Sequence, residues 1–179
     1  MKIGYTISTL ATAALLALPA GAPQPTPRPA PAAAVERDVR HAINSLAYYS
    51  VFDDLDFTLD DAGVVTLSGE VTRYYVRNSA VSAVKNIPGV TRVEDKIEVL
   101  PLSPYDNNIR VRAYNAIFGY PALSRYAINS RPPIRILVKY GNITLAGVVN
   151  NELDRTLAYN RLRSLPGAFS VTNQLRLDP

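Results

Sequence analysis

The sequence predicts an α+β protein built from two copies of one αββαβ unit, each a three-stranded mixed sheet with two helices on one face. Three observations predict it. A nine-residue stretch, GVVTLSGEV at Gly63 to Val71, returns as GNITLAGVV at Gly141 to Val149, 78 positions further on. The same offset then holds without a gap through Arg77/Arg155, Ala80/Ala158, Pro88/Pro166, Gly89/Gly167 and Val93/Val171. A fixed offset kept by glycines, a proline and apolar positions alike marks an internal repeat. Finally, the hydrophobic period changes in the same order in both copies, from two residues to a helical spacing and back to a strand.

A helix over Val35 to Ser50 is expected first, with Val39, Ala42, Ile43, Leu46 and Ala47 on one face. Leu55, Phe57 and Leu59 then alternate with polar residues, and Val65, Leu67 and Val71 do the same beyond a turn at Asp60 to Gly63. A second helix places Val76, Ala80, Ala83, Val84 and Ile87 on one face and stops at Pro88-Gly89. Val93, Ile97 and Val99 form the last strand of the unit.

The second copy repeats this order. A helix over Asp106 to Phe118 carries Ile109, Ala113, Ala116 and Ile117. Ile134, Ile136 and Val138 precede a turn at Tyr140-Gly141-Asn142, one residue shorter than its counterpart, and Ile143, Leu145 and Val149 follow it. Leu153, Leu157, Ala158, Leu162 and Leu165 line the next helix, Pro166-Gly167 ends it, and Val171, Leu175 and Leu177 form the final strand. A strand–helix–strand crossover is right-handed and leaves its two strands parallel, while the hairpin pair is antiparallel.

Gly63 and Gly141 are expected at positive φ in tight turns. Gly69 and Gly147 are expected at a bulge or a close helix approach. A phosphate cradle is the competing reading of these glycines, but no G-x-G-x-x-G or Walker pattern surrounds them. Asp95 and Asn173 fall on the inner face of the two last strands. They are expected to interrupt those strands and to need hydrogen-bond partners.

The motifs GVVTLSGEV with IPGVTRVEDKIEV, and GNITLAGVV with LPGAFSVTNQLRL, resemble the BON domain (bacterial OsmY and nodulation domain), here in tandem. The resemblance runs from Val35 to about Asp178. In the second copy Ala168 replaces the usual Val, and an insertion, GYPALSRYAINSRPP, precedes the first strand. The resemblance implies a non-enzymatic envelope protein that binds phospholipid or associates with envelope components, often under osmotic or envelope stress.

The rest of the chain bounds the setting. Residues 1–22 read as a signal peptide: Lys2, an apolar run from Ile7 to Leu18, then small residues. The run is shorter than the roughly 20 residues a spanning helix needs. Residues 23–34 read as a proline-rich linker, with docking to a proline-binding partner as the alternative. Domains are expected at 35–100 and 101–179. A periplasmic or secreted location follows, with any membrane contact peripheral and nucleic acid excluded as a partner. There is no Cys, so neither disulfide nor thiol chemistry is available. His41 stands alone and reads as a surface residue rather than a catalytic one. Asp53, Asp54, Asp56, Asp60 and Asp61 read as a solvated turn and strand face, because they lack the spacing of a calcium loop. No catalytic residue, cofactor or metal is assigned.

Charge divides the chain. Residues 35–100 hold seven basic and eleven acidic side chains, net −4; residues 101–179 hold ten and four, net +6. The two halves are expected to dock, or the basic half to meet an anionic surface. Units this small have marginal cores, which also argues for packing of one half on the other. The insertion mixes rings with guanidinium groups. Phe118, Tyr120, Arg125, Tyr126, Arg131 and Arg135 are therefore the candidate contacts to anionic phospholipid or to an envelope protein. The alternative is that the segment folds over its own sheet or seals the junction between the domains. For a protein-binding adaptor or chaperone-like module, the pairs Tyr48-Tyr49 and Tyr74-Tyr75 are further candidates.

Overall fold

The computed structural model describes residues 32–128 and 132–178. The expected signal peptide, residues 23–31 of the expected linker and Arg131 lie outside the described residues. The first unit runs α1 (Ala32–Asn44), β1 (Asp54–Leu59), β2 (Val64–Val71), α2 (Tyr74–Lys85) and β3 (Arg92–Val99). The second runs α3 (Pro104–Phe118), a 3-10 turn (Ser124–Ala127), β4 (Ile134–Lys139), β5 (Asn142–Val149), α4 (Glu152–Arg163), β6 (Ser170–Asn173) and β7 (Arg176–Leu177).

Both sheets are mixed, in the order β1-β2-β3 and β4-β5-β6, with β7 also on β5. β2 pairs antiparallel to β1 and parallel to β3. β5 repeats this with β4 on one side and β6 and β7 on the other. The one-residue difference in the hairpins is visible in the register, Asp54↔Glu70 against Ile134↔Gly147.

Three expectations change. α1 begins at Ala32 and ends at Asn44, not Ser50, because the chain reverses through Tyr48 at φ 63. Only the second copy breaks its last strand, between β6 and β7; β3 is continuous. Both inner-face polar residues do find partners. Asp95 accepts from Arg77 Nε at 2.8 Å, and Asn173 Nδ2 donates to the carbonyl of Arg155 at 3.2 Å, the repeat equivalent of Arg77. Gly69 and Gly147 meet backbone at the start of the neighbouring strand rather than a helix: a Cβ there would stand 2.2 Å from the carbonyl oxygen of Asp54, in β1, and 1.9 Å from that of Pro133, just before β4.

The inward residues of each sheet pack beneath their helices. Val65, Leu67 and Val71 meet Val39, Ile43, Val76, Ala80 and Val84 in the first core. Ile136, Ile143 and Leu145 meet Ile109, Ala113, Ala158 and Leu162 in the second. That second core also contains Val51, from the first unit. The reversal after α1 carries residues 50–52 alongside β4, where Ile136 N donates to the Val51 carbonyl at 2.9 Å.

The open faces of the sheets meet as well. Leu137 and Ala146 point away from α3 and α4, yet are only 7% and 6% exposed. Across from them Asp54, Glu70 and Glu98 stand in register on three adjacent strands. Lys139 pairs with Glu98 at 2.6 Å, and Arg135 and Arg176 lie in the field of Asp54. The opposite charges of the two halves thus meet at their junction, with helices outside and sheets between.

Candidate functional site

The docked halves leave a cleft of about 580 Å³ between them. Four separate segments build it: Tyr48 to Phe52 after α1, Thr72-Arg73 between β2 and α2, Pro101-Leu102 in the connector, and Asn107, Arg110 and Val111 on α3. Pro101 and Pro104 bracket the connector, and Ser103 caps α3 by accepting from Asp106 N at 3.1 Å. This fixes where Asn107, Arg110 and Val111 point.

Asp53 holds the opposite wall. It has no exposed surface. Its carboxylate accepts from Ser50 N and Oγ at 2.8 and 2.7 Å, and from Thr72 N and Oγ1 at 2.6 and 2.8 Å. Reading Asp53 as part of a solvated acidic turn is therefore corrected: four donors replace its water. Asp60 does serve a turn, accepting from Ala62 N and Val64 N.

The walls are mainly apolar, and the mouth carries exposed rings. Tyr48 stacks edge-on to Tyr75 at 5.8 Å with Arg73 over its face. Leu102 is 91% exposed, and Val111 and Tyr114 continue the rim along α3. Tyr114 leans on Phe52 and Phe118. The buried cation of the lining is Arg110, 4% exposed. Its Nη1 donates to Asn107 Oδ1 at 2.6 Å and its Nη2 to the Val138 carbonyl at 2.7 Å. Its Nε is buried without an acceptor among the described residues. Burial pulls its pKa down, against the fields of Asp106 and Asp53.

Of the candidate contacts in and beside the insertion, the described ones, Phe118, Tyr120, Arg125, Tyr126 and Arg135, do not form one exposed patch. Phe118 and Tyr126 are buried in the second core. The Tyr126 hydroxyl donates to Asp154 at 2.6 Å, and Arg125 pairs with the same carboxylate. Burial pushes the Tyr126 phenol up. Tyr120 is half-buried, with Arg161 over its ring at 4.8 Å. Arg135 lies over Tyr49 at 4.8 Å and donates to the Ser50 carbonyl at 3.2 Å, so it cements the halves. Tyr120, Arg125 and Tyr126 thus make their contacts within the second unit, and Arg135 makes its contacts across the junction. The signals for the cleft were Tyr48-Tyr49, Tyr75 and the proline-flanked connector; Arg110 sits beside Ile109 on an apolar helix face and gave none.

The BON domain family model matches residues 32–101 and 122–179, and the chain belongs to the BON domain family. BON domains are binding domains, often of envelope proteins. No curated protein matches the chain. Among solved structures it is similar to CdsD, a structural protein of the Type III secretion system of Chlamydia trachomatis, at 15% identity and TM-score 0.31 over 82% of this chain and 93% of that one. The C-terminal domain of CdsD gives 15% identity and TM-score 0.30 over 80% and 96%. Among the described residues no helix is long and apolar enough to cross a membrane.

Proposed function

We propose that this protein is a non-enzymatic envelope module that attaches peripherally to anionic phospholipid, through the rim of the interdomain cleft rather than through the inserted segment. One observation carries this reading: Tyr48, Leu102 and Val111 are exposed around a single opening with Arg73 among them, and the exposed rings of Tyr75, against Tyr48, and Tyr114, against Phe52, lie beside it. Rings and aliphatic side chains of this kind enter the headgroup layer, and a guanidinium pairs with phosphate. The net +6 of the second half adds less than its count suggests. Arg125, Lys139 and Arg155 are paired with carboxylates, and Arg110 is buried.

A protein partner is the second reading, favoured by the concave shape of the site and the Tyr and Arg residues at its mouth. Sedimentation with vesicles separates the two. Recovery is expected with phosphatidylglycerol vesicles and not with phosphatidylcholine vesicles, and it should fall at high salt. Leu102→Asp with Val111→Asp should weaken it by about tenfold or more, equivalent to about 1.4 kcal/mol. Equal recovery on both vesicle types, or on neither, overturns the lipid reading. A stoichiometric envelope partner that survives detergent and is lost in the same variant then supports the adaptor.

A further inference from the structure

We infer that the cleft itself is a binding site for a single-chain amphiphile ending in a carboxylate, with its chain between Phe52, Leu102 and Val111 and its carboxylate between Arg73 and Arg110. This deepens the lipid reading and rests on it for the chemistry at the mouth. What it adds is a bound molecule of one kind, held inside rather than touched at the surface.

Size sets the class first. The cleft, at about 580 Å³, lies within the roughly 300–1,000 Å³ of small-ligand pockets. Taking a methylene as about the volume of a water molecule, about 30 Å³, a ten-carbon chain with its head group fills more than half of it. A two-chain phospholipid does not fit whole.

Charge sets the head group. The walls alone would take any apolar body. Arg110 does not suit an uncharged one, because its guanidinium is enclosed in low-dielectric surroundings with Nε lacking an acceptor. The acids in its field are already engaged. Asp53 has its four donors from Ser50 and Thr72, and Asp106 accepts from Tyr140 N and Gly141 N at 3.1 and 2.8 Å. Asn107 is exposed and tied to Arg110 by one hydrogen bond. It is the side chain that gives way when a carboxylate settles against α3 and takes its place as the acceptor of Nη1. Arg73, exposed at the rim over Tyr48, provides the second charge.

Calorimetric titration of the full chain with decanoate and with decan-1-ol, below micelle formation, tests the assignment. Decanoate should bind saturably, one per chain and more tightly than the alcohol. Arg73→Gln and Arg110→Gln should each weaken decanoate by about tenfold, the value of a charge-assisted hydrogen bond, and leave decanol unchanged. Val111→Phe should fill the cleft and exclude both. Arg110 also supports β4, so if its variant does not fold, the two exposed positions, Arg73 and Val111, decide. Equal affinity for acid and alcohol, partition without saturation, or decanoate binding indifferent to Arg73→Gln and Val111→Phe overturns the inference. Vesicle sedimentation run alongside locates a failure. Pelleting without decanoate binding removes the cleft ligand and leaves the rim; decanoate binding without pelleting removes the rim attachment alone.

Discussion

Asp53 and Thr72 are 19 residues apart, and one buried carboxylate joins them. The same carboxylate turns the backbone at Ser50, so the direction of the loop that carries Val51 into the second core depends on it. Asp53→Ala strands four donors in a buried site. It is expected to cost about 2–4 kcal/mol, in the range for losing a buried charged hydrogen-bond network. Denaturant unfolding measures this, and a loss below about 0.5 kcal/mol, the usual size of a surface substitution, would show that the four bonds contribute little. Nothing local in the sequence separates Asp53 from Asp54, Asp56, Asp60 and Asp61. Two of its four donors come from Ser50 nearby, but the other two come from Thr72 at another strand end, and that pairing is a property of the fold. The same holds for Phe118 and Tyr126, where an apolar ring with a polar tip suits a headgroup layer and a core edge equally. Asp154, which receives the Tyr126 hydroxyl, lies 28 residues further on.

At the scale of elements most of the architecture was legible, because it rests on local signals written twice. Alternation, a helical face and a Pro-Gly stop recur at a fixed offset, and the strands and helices follow them. The turn glycines Gly63 and Gly141 stand at positive φ, 77 and 78, as expected; what the pattern did not carry was the use of Gly69 and Gly147. Gly147 has φ 102 and Gly69 φ 114, and both face a neighbouring carbonyl at less than the reach of a Cβ. Gly167 also has positive φ, at 88, but a Cβ there meets nothing nearer than 3.5 Å. The contrast makes a prediction. Gly167→Ala pays only for its backbone conformation, about 1–2 kcal/mol. Gly147→Ala adds a clash with the carbonyl of Pro133, just before the adjoining strand, and should cost about 3 kcal/mol or more, in the exceptional range of single substitutions. Thermal unfolding of the two variants side by side checks the order; equal losses would mean that the close strand approach carries no energy of its own.

The molecule as a whole is organised by its junction, and the charge division of the sequence anticipated that the halves would dock without showing which faces meet. The acidic row Asp54, Glu70 and Glu98 crosses three strands, so it forms only when the sheet does. Burial raises the pKa of Glu70, with Lys139 opposing and Glu98 and Asp54 adding to it. Burial likewise raises that of Asp54, against the pull of Arg135. A carboxylate raised in the folded state holds its proton at pH values where the unfolded chain has lost it. Its contribution to stability is therefore full below the ordinary carboxylate pKa and is lost as pH rises through the raised value. Glu70→Gln removes the titration while keeping the shape. At neutral pH the variant should melt above the parent, and the gap should close as pH falls toward about 4, the ordinary carboxylate range. Glu98, exposed and paired to Lys139, serves as the comparison, since Glu98→Gln removes an attraction across the junction without relieving a buried charge. Melting curves of parent and both variants from mildly acidic to neutral pH decide it. A Glu70→Gln advantage that does not change with pH, or a loss that grows toward neutrality, would mean that burial does not raise Glu70 and that it is held as charge beside Lys139.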